Sequence, residues 1–370
     1  LRLLDAISTI DGLVNYGIEI GLKGLAITDH GCVCGWVKAN QLQQKLQEQG
    51  IDFKIALGEE GYLVDERENG IQYYHCIWIA KDEIGARQIR RISSIANLNS
   101  YYDRGMERVP ITKKELEMVI GKDTGHIIVT SACLGGEVSS NILNMLMARK
   151  IGDTQSEKQA KIKIINFISW AKRIFGDDFY LEIAPGASKE QIAVNKKMVE
   201  IASSFDVKMI LGCDAHYLKK EDRHIHEAFL NSKSGDRETA SFYTYAYLQT
   251  EEEILENLRP SIIDMYETMC KNSMEIFDKI KIFSLEHSQQ IPYIDVEDYS
   301  KRKPPEKLLQ YQELSRMFES DDKMERYWVN KCCKRLKEIG KDKREYFDEL
   351  EEEAEVKTII GKKLDTNMFS

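Results

Sequence analysis

The sequence predicts an α/β protein, with a barrel-like domain of alternating strands and helices followed by a smaller, mainly helical region. Three observations carry this. Apolar runs rich in β-branched residues recur along the first 216 residues. Longer segments with helical spacing separate most of them, and residues able to bind metals follow directly on several runs.

Taken in order, the strand-like runs are Lys23–His30, Phe53–Val64, Tyr73–Ala80, His126–Cys133, Phe179–Ala184 and Lys208–His216. Helical spacing marks Val33–Gln49, Asp82–Tyr101, Glu157–Phe175 and Lys189–Phe205 between them. The hop from Val64 to Tyr73 is short and carries the turn-like Glu68–Gly70, which predicts a hairpin. Alternation of this kind predicts a parallel sheet, closed or open. Polar residues at the C-terminal ends of strands favour a barrel, because barrel sites are assembled on that rim. Past the break at Leu258–Ser261 a further helix is expected over Ile262–Lys279. The domain is placed at 1–285, a linker at 286–305 containing Lys301–Pro305, and a second helical unit at 306–370.

A chain of 370 residues with 42% hydrophobic content can bury a sizeable core. No run of about 18 apolar residues is present, so no membrane span or membrane partner is predicted, and the cytoplasm is the expected compartment. The eight cysteines are scattered without a regular framework and are read as thiols. A net charge of -9 argues against an overall basic coat for nucleic acid. Residues 301–344 nevertheless hold 14 basic and 8 acidic side chains, whereas residues 345–355 hold seven acids and no base. Two solvated helix faces explain that contrast more simply than a DNA-contacting patch.

Asp5, His30, Glu60, His75, Cys133, Asp214 and His216 form an inventory of metal ligands at or beside predicted strand ends. Imidazoles, carboxylates and one thiolate suit zinc or manganese, and bridging carboxylates suit a di- or trinuclear cluster. Such a cluster activates a bound water for phosphoester hydrolysis. Each residue alone has a plainer role. His30 suits a turn, His75 a hydrogen-bonded core position, Cys133 a small buried hydrophobe, and Asp5 a helix cap. Asp214 and His216 make the best single case, because Asp-x-His on an extended strand places both side chains on one face. His224 and His226 read as surface or packing residues, Glu182 as structural, and Cys332 with Cys333 as helix packing.

In order and spacing, LLDA, AITDHG, LGEEGYLV, YYHCIWIAKDEIG, TSACLGGE, FYLEI and CDAHYL resemble the successive PHP (polymerase and histidinol phosphatase) motifs of bacterial, Firmicute or phage-like, DNA polymerase III alpha subunits. The residues from Tyr346 to Ser370 are similar to the stretch leading into the polymerase palm. The resemblance implies a distorted (β/α)7-type PHP barrel and the start of a DNA-directed DNA polymerase. It also implies all seven ligands named above, with Glu60 preferred to Glu59, and Asp29 beside His30 as an orienting residue.

The family's opening His-x-His motif is expected just before Leu1, and the polymerase aspartates, with their magnesium, beyond Ser370; both ends read as breaks in a longer protein. Implied partners are DNA, a sliding clamp, a clamp loader and a proofreading nuclease. Two functions compete: metal-dependent 3'–5' exonuclease proofreading, and a non-catalytic scaffold that docks a separate nuclease. A free-standing histidinol-phosphatase-like enzyme fits less well, since about 150 residues continue past His216.

Overall fold

The computed structural model describes residues 6–68, 70–103, 106–232, 241–287 and 295–364. The chain divides into two compact units, Leu1–Leu285 and Glu286–Ser370. Nine strands are seen among the described residues of the first. They are β1 Gly24–His30, β2 Lys54–Val64, β3 Tyr74–Ala80, β4 Tyr101–Asp103, β5 Met106–Arg108, β6 Pro110–Thr112, β7 Ile127–Thr130, β8 Phe179–Ile183 and β9 Met209–Leu211. The short β4 and β5 pair with each other. The rest form one seven-stranded sheet in the order β1-β2-β3-β7-β8-β9, with β6 beside β2.

Most neighbours are parallel, but β3 runs antiparallel to both β2 and β7. The short connection from β2 allows no crossover helix, so β3 must return beside its predecessor. The sheet curls strongly. His30 ends β1 and His216 lies past β9, at opposite ends of the six-strand path, yet their ring centroids are 5.9 Å apart. The Ile7 amide donates to the His216 carbonyl (2.9 Å), tying the segment before the first helix to the loop after the last strand. The barrel-like α/β architecture is thus present as a curled sheet.

Strand alternation sorts the side chains into layers. One residue from each of β2, β3, β7, β8 and β9, namely Ala56, Ile79, Ile128, Tyr180 and Ile210, forms an apolar cluster with Ile276 and Ile280 at the end of the helix Tyr266–Lys279. Two or four residues along the same strands, on the same face, come Glu60, His75, Thr130 and Glu182. The opposite face packs Leu57, Leu63, Cys76, Trp78, Val129 and Leu181 in the main core with Trp36, Ile89, Ile92 and Phe167 of the covering helices.

Several boundaries differ from those expected. The strand over Lys208–His216 is only Met209–Leu211, where its pairing with β8 ends at Ile183, and beyond it Asp214 takes a left-handed φ of 43° that extended backbone excludes. Asp214 and His216 therefore do not share the face of a strand. The helix from Ile262 begins as a 3-10 turn and becomes α-helical at Tyr266. The helix Glu137–Ile151 has no counterpart in the reading of periodicity, because Ser139 and Asn141 are buried beside its apolar residues and no polar face marks it.

In the second unit, helices Gln312–Glu319, Lys323–Glu338 and Arg344–Leu364 enclose Leu308, Leu314, Met317, Phe318, Val329 and Phe347. The Glu351 carboxylate accepts from the Glu313 and Leu314 amides (2.7 and 2.9 Å), filling the open donors that start the first of these helices. Residues 295–305 form no helix or strand. Arg326 nonetheless holds the Tyr299 carbonyl and pairs with Asp298, and the Arg302 amide donates to the Phe318 carbonyl (3.2 Å).

Candidate metal centre

The parallel register of β1 and β2 sets His30 opposite Glu60, and the antiparallel register of β2 and β3 sets His75 opposite Tyr62. Both pairings aim their side chains at the rim above the apolar layer. The Glu60 carboxylate, 3% exposed, lies between the two imidazoles: Oε2 is 2.7 Å from His30 Nδ1 and Oε1 2.9 Å from His75 Nδ1. Cys133 Sγ completes a compact group, 3.5 Å from His75 Nδ1 and 3.7 Å from Glu60 Oε1. One ligand atom from each of His30, Glu60 and His75 falls within 4.8 Å of the others. That donor set fits a divalent cation.

Burial would raise the Glu60 pKa, but the charge and hydrogen bonds of His30, then those of His75, outweigh it and hold the carboxyl well below the usual range. For His75, burial opposes protonation, and the hydrogen bond and charge of Glu60 more than compensate, so its pKa rises. Burial first, then the charges of Asp214 and Glu60, push the Cys133 thiol far up. Glu182, beneath the group, is pushed up to about 7, chiefly by burial, although Thr130 Oγ1 donates to it (2.5 Å).

His216 and Asp214 approach from the loop after β9. The Asp214 carbonyl accepts from His216 Nδ1 (2.8 Å), so that nitrogen is the donor and the ring is held in one orientation. Two of the three non-glycine residues with positive φ among the described residues, Ala132 and Asp214, lie at Cys133 and Asp214. Such backbone is held only where the surroundings enforce it, and it clusters at functional sites. Cys133, Asp214, Gly186, Ser188 and Tyr245 line a cleft beside the cluster.

The other expected positions fall differently. Asp5 lies outside the described residues. Asp29 points to the face opposite His30 by strand alternation and accepts from the Gly35 amide (2.7 Å), bracing the loop that follows. Glu59 likewise faces outward, where Trp78 Nε1 donates to it (3.3 Å) and burial raises its pKa to about 7. His226 is fully buried, its ring 5.9 Å from that of His216 and 5.2 Å from Tyr243. His224 Nδ1 caps the Glu221 carbonyl (2.6 Å).

Sequence reasoning missed the aromatic flank. Tyr62 lies parallel to His30 (6.4 Å), and Tyr73 parallel to His75 (6.4 Å). The i, i+2 spacing of Tyr73 with His75 and of Tyr62 with Glu60 was the available signal.

Residues 1–186 match the family described as the PHP domain, just over half of the chain. The chain belongs to the PHP domain family. It is 40% identical over 342 residues to the DNA-directed DNA polymerase of Bacillus phage SPbeta, covering 88% of this chain and 26% of that protein. DNA polymerase III subunit alpha of Borreliella burgdorferi is 27% identical over 295 residues, covering 76% of this chain and 23% of that protein. The Aquifex aeolicus subunit of the same name is 28% identical over 392 residues, covering 97% and 29%. This PHP chain thus spans about a quarter of the length of the curated relatives it matches. No helix among the described residues is long and apolar enough to cross a membrane.

Proposed function

We propose that the chain is the PHP portion of a replicative DNA polymerase of the polymerase III alpha type, and that its rim cluster hydrolyses phosphodiesters at a 3' DNA end to proofread for that polymerase. The observation that carries the reading is the buried Glu60 carboxylate set between His30 and His75 with Cys133 alongside. His30, Glu60, His75, Cys133 and His216, with Asp214 and Asp5, would hold divalent zinc or manganese. An ion bound there supplies positive charge for a phosphoryl oxygen and lowers the pKa of water at the site.

The remaining work falls to the chain's own groups. Glu60 faces both imidazoles at their Nδ1 atoms, and the Asp214 carbonyl orients the His216 ring. The apolar layer of Ala56, Ile79, Ile128 and Tyr180 closes the bottom of the site to water. In the parent, DNA is the substrate, magnesium serves the polymerase centre, and the clamp and its loader are partners.

The test is degradation of a mismatched primer by the full-length protein in manganese or zinc, with a polymerase-inactivated background. Wild type should release 3' nucleotides, and His216→Ala should lower the rate by at least about a hundredfold. A rate that is unchanged by both chelator and H216A would sink the assignment.

A further inference from the structure

The strongest feature outside the ligand cluster is a half-buried cation that pairs with no carboxylate among the described residues. Arg108, the last residue of β5, is half-buried. Its guanidinium stands over the Tyr73 ring (5.2 Å), and Nη1 donates to the Tyr73 hydroxyl (2.8 Å). Among the described residues that is its one side-chain hydrogen bond, although a guanidinium offers five N–H donors, and its Nε is sealed from solvent with no partner there. Arg67, Arg149, Arg173, Arg316 and Arg326 each face a carboxylate. Arg108 forms no ion pair among the described residues. Holding a guanidinium partly out of water without an anion is costly, so the arrangement suits an anion that arrives with a ligand.

Its position says which anion. Arg108 reaches toward the cluster through Tyr73, whose ring lies parallel to His75 at 6.4 Å and edge-on to Tyr62 at 4.9 Å. Among the described residues its guanidinium bonds to Tyr73 and not to Glu60 or His75, so a strand with its scissile phosphate at the cluster would bring a further phosphate to Arg108. We propose that Arg108 binds the backbone phosphate next to the scissile one and is the positioning residue that selects a polynucleotide over a small phosphate monoester. This rests on the hydrolytic reading above. A monoester has a single phosphate and leaves Arg108 unpaired, whereas a DNA strand presents a second charge one linkage along. Tyr73 holds the guanidinium in place by its hydroxyl and its ring face.

The test is a two-by-two comparison in the full-length protein with manganese. The substrate is a thymidine trinucleotide, either fully charged or with the linkage next to the scissile one replaced by a neutral methylphosphonate. Wild type should lose about tenfold in kcat/KM on the neutral substrate, the loss falling in KM. Arg108→Gln should show that same loss on the charged substrate and nothing further on the neutral one. Arg108→Lys, which keeps the charge, should lose less. Losses that multiply would overturn the assignment, as would an R108K loss equal to that of R108Q together with a lowered melting temperature. If wild type hydrolyses neither trinucleotide, the proofreading reading fails on its own. Binding of the same two labelled trinucleotides, read by fluorescence anisotropy, then decides: a preference for the charged strand that R108Q abolishes supports Arg108, and equal wild-type affinities overturn it.

Discussion

Replacing Glu60 by Gln keeps the shape of the side chain and removes the charge that two imidazoles share. Glu60 accepts from His75 at 2.9 Å and forms an ion pair with His30 at 2.7 Å while 3% exposed. A hydrogen bond to a charged group contributes about 1.5–3 kcal/mol, and a buried ion pair at this distance is taken as about the same. The two together reach about 3–6 kcal/mol, of which roughly half is offset because the amide avoids the cost of burying a carboxylate. A net loss of about 2–3 kcal/mol is expected for metal-free protein.

Its pH dependence has a fixed sign. The folded pKa of Glu60 is depressed, so its contribution is present above the unfolded value of about 4.3 and is lost as pH falls through the lower folded value. The folded pKa of His75 is raised, so its contribution is complete below about 6.5 and is lost as pH rises through the higher folded value. The E60Q penalty should therefore be largest between about pH 4.3 and 6.5 and shrink by pH 9. Urea denaturation in chelator at pH 5.5 and 9 measures it. Equal stability of E60Q and wild type at pH 5.5 would refute the view that Glu60 is an ion-paired carboxylate.

Further perturbations test the frame around the site. Ile128→Ala, in the apolar layer below the cluster and fully buried, should cost about 2–5 kcal/mol in the unfolding free energy of the first unit. Gly136→Ala would place a Cβ 1.9 Å from the Ser131 carbonyl oxygen, so the loop carrying Cys133 must shift; lower expression or melting temperature, with weaker zinc retention on gel filtration, is expected. Cys133, its thiol pKa pushed far up by burial, should resist iodoacetamide at pH 8 in native metal-free protein while exposed Cys34 reacts; mass spectrometry after proteolysis reads both sites. Metal affinity should fall as pH drops through the raised pKa of His75, since the ion must displace its proton, and isothermal titration at pH 6 and 8 measures the difference.

Periodicity alone located β1, β2, β3 and β8 to within about a residue of their ends, and the helix Lys189–Phe205 without error. Local signals were sufficient there because each run is apolar, bounded, and followed by a polar break. The ordered motifs from LLDA to CDAHYL resembled one family, and residues 1–186 match that family. Where local signals conflicted, the sequence was mute. Helix Glu137–Ile151 buries polar and apolar residues alike, and the Asp214–His216 segment reads as strand although the pairing stops at Leu211 and Asp214 is left-handed. Which of the adjacent Glu59 and Glu60 faces the rim depends on strand register, a property of two chains paired across a sheet.

Residue types therefore supplied the chemistry, and the fold supplied the distances. The sequence by itself determined an α/β chain with imidazoles, carboxylates and a thiol near strand ends, because side-chain chemistry and hydrophobic period are local. Only the curl of the sheet could bring His216 to within 5.9 Å of His30 across six strands, and only the pairing of β2 with β1 and β3 could set one carboxylate between two histidines. Those contacts join residues far apart along the chain, and their approach is fixed by backbone hydrogen bonds and core packing that no single segment contains.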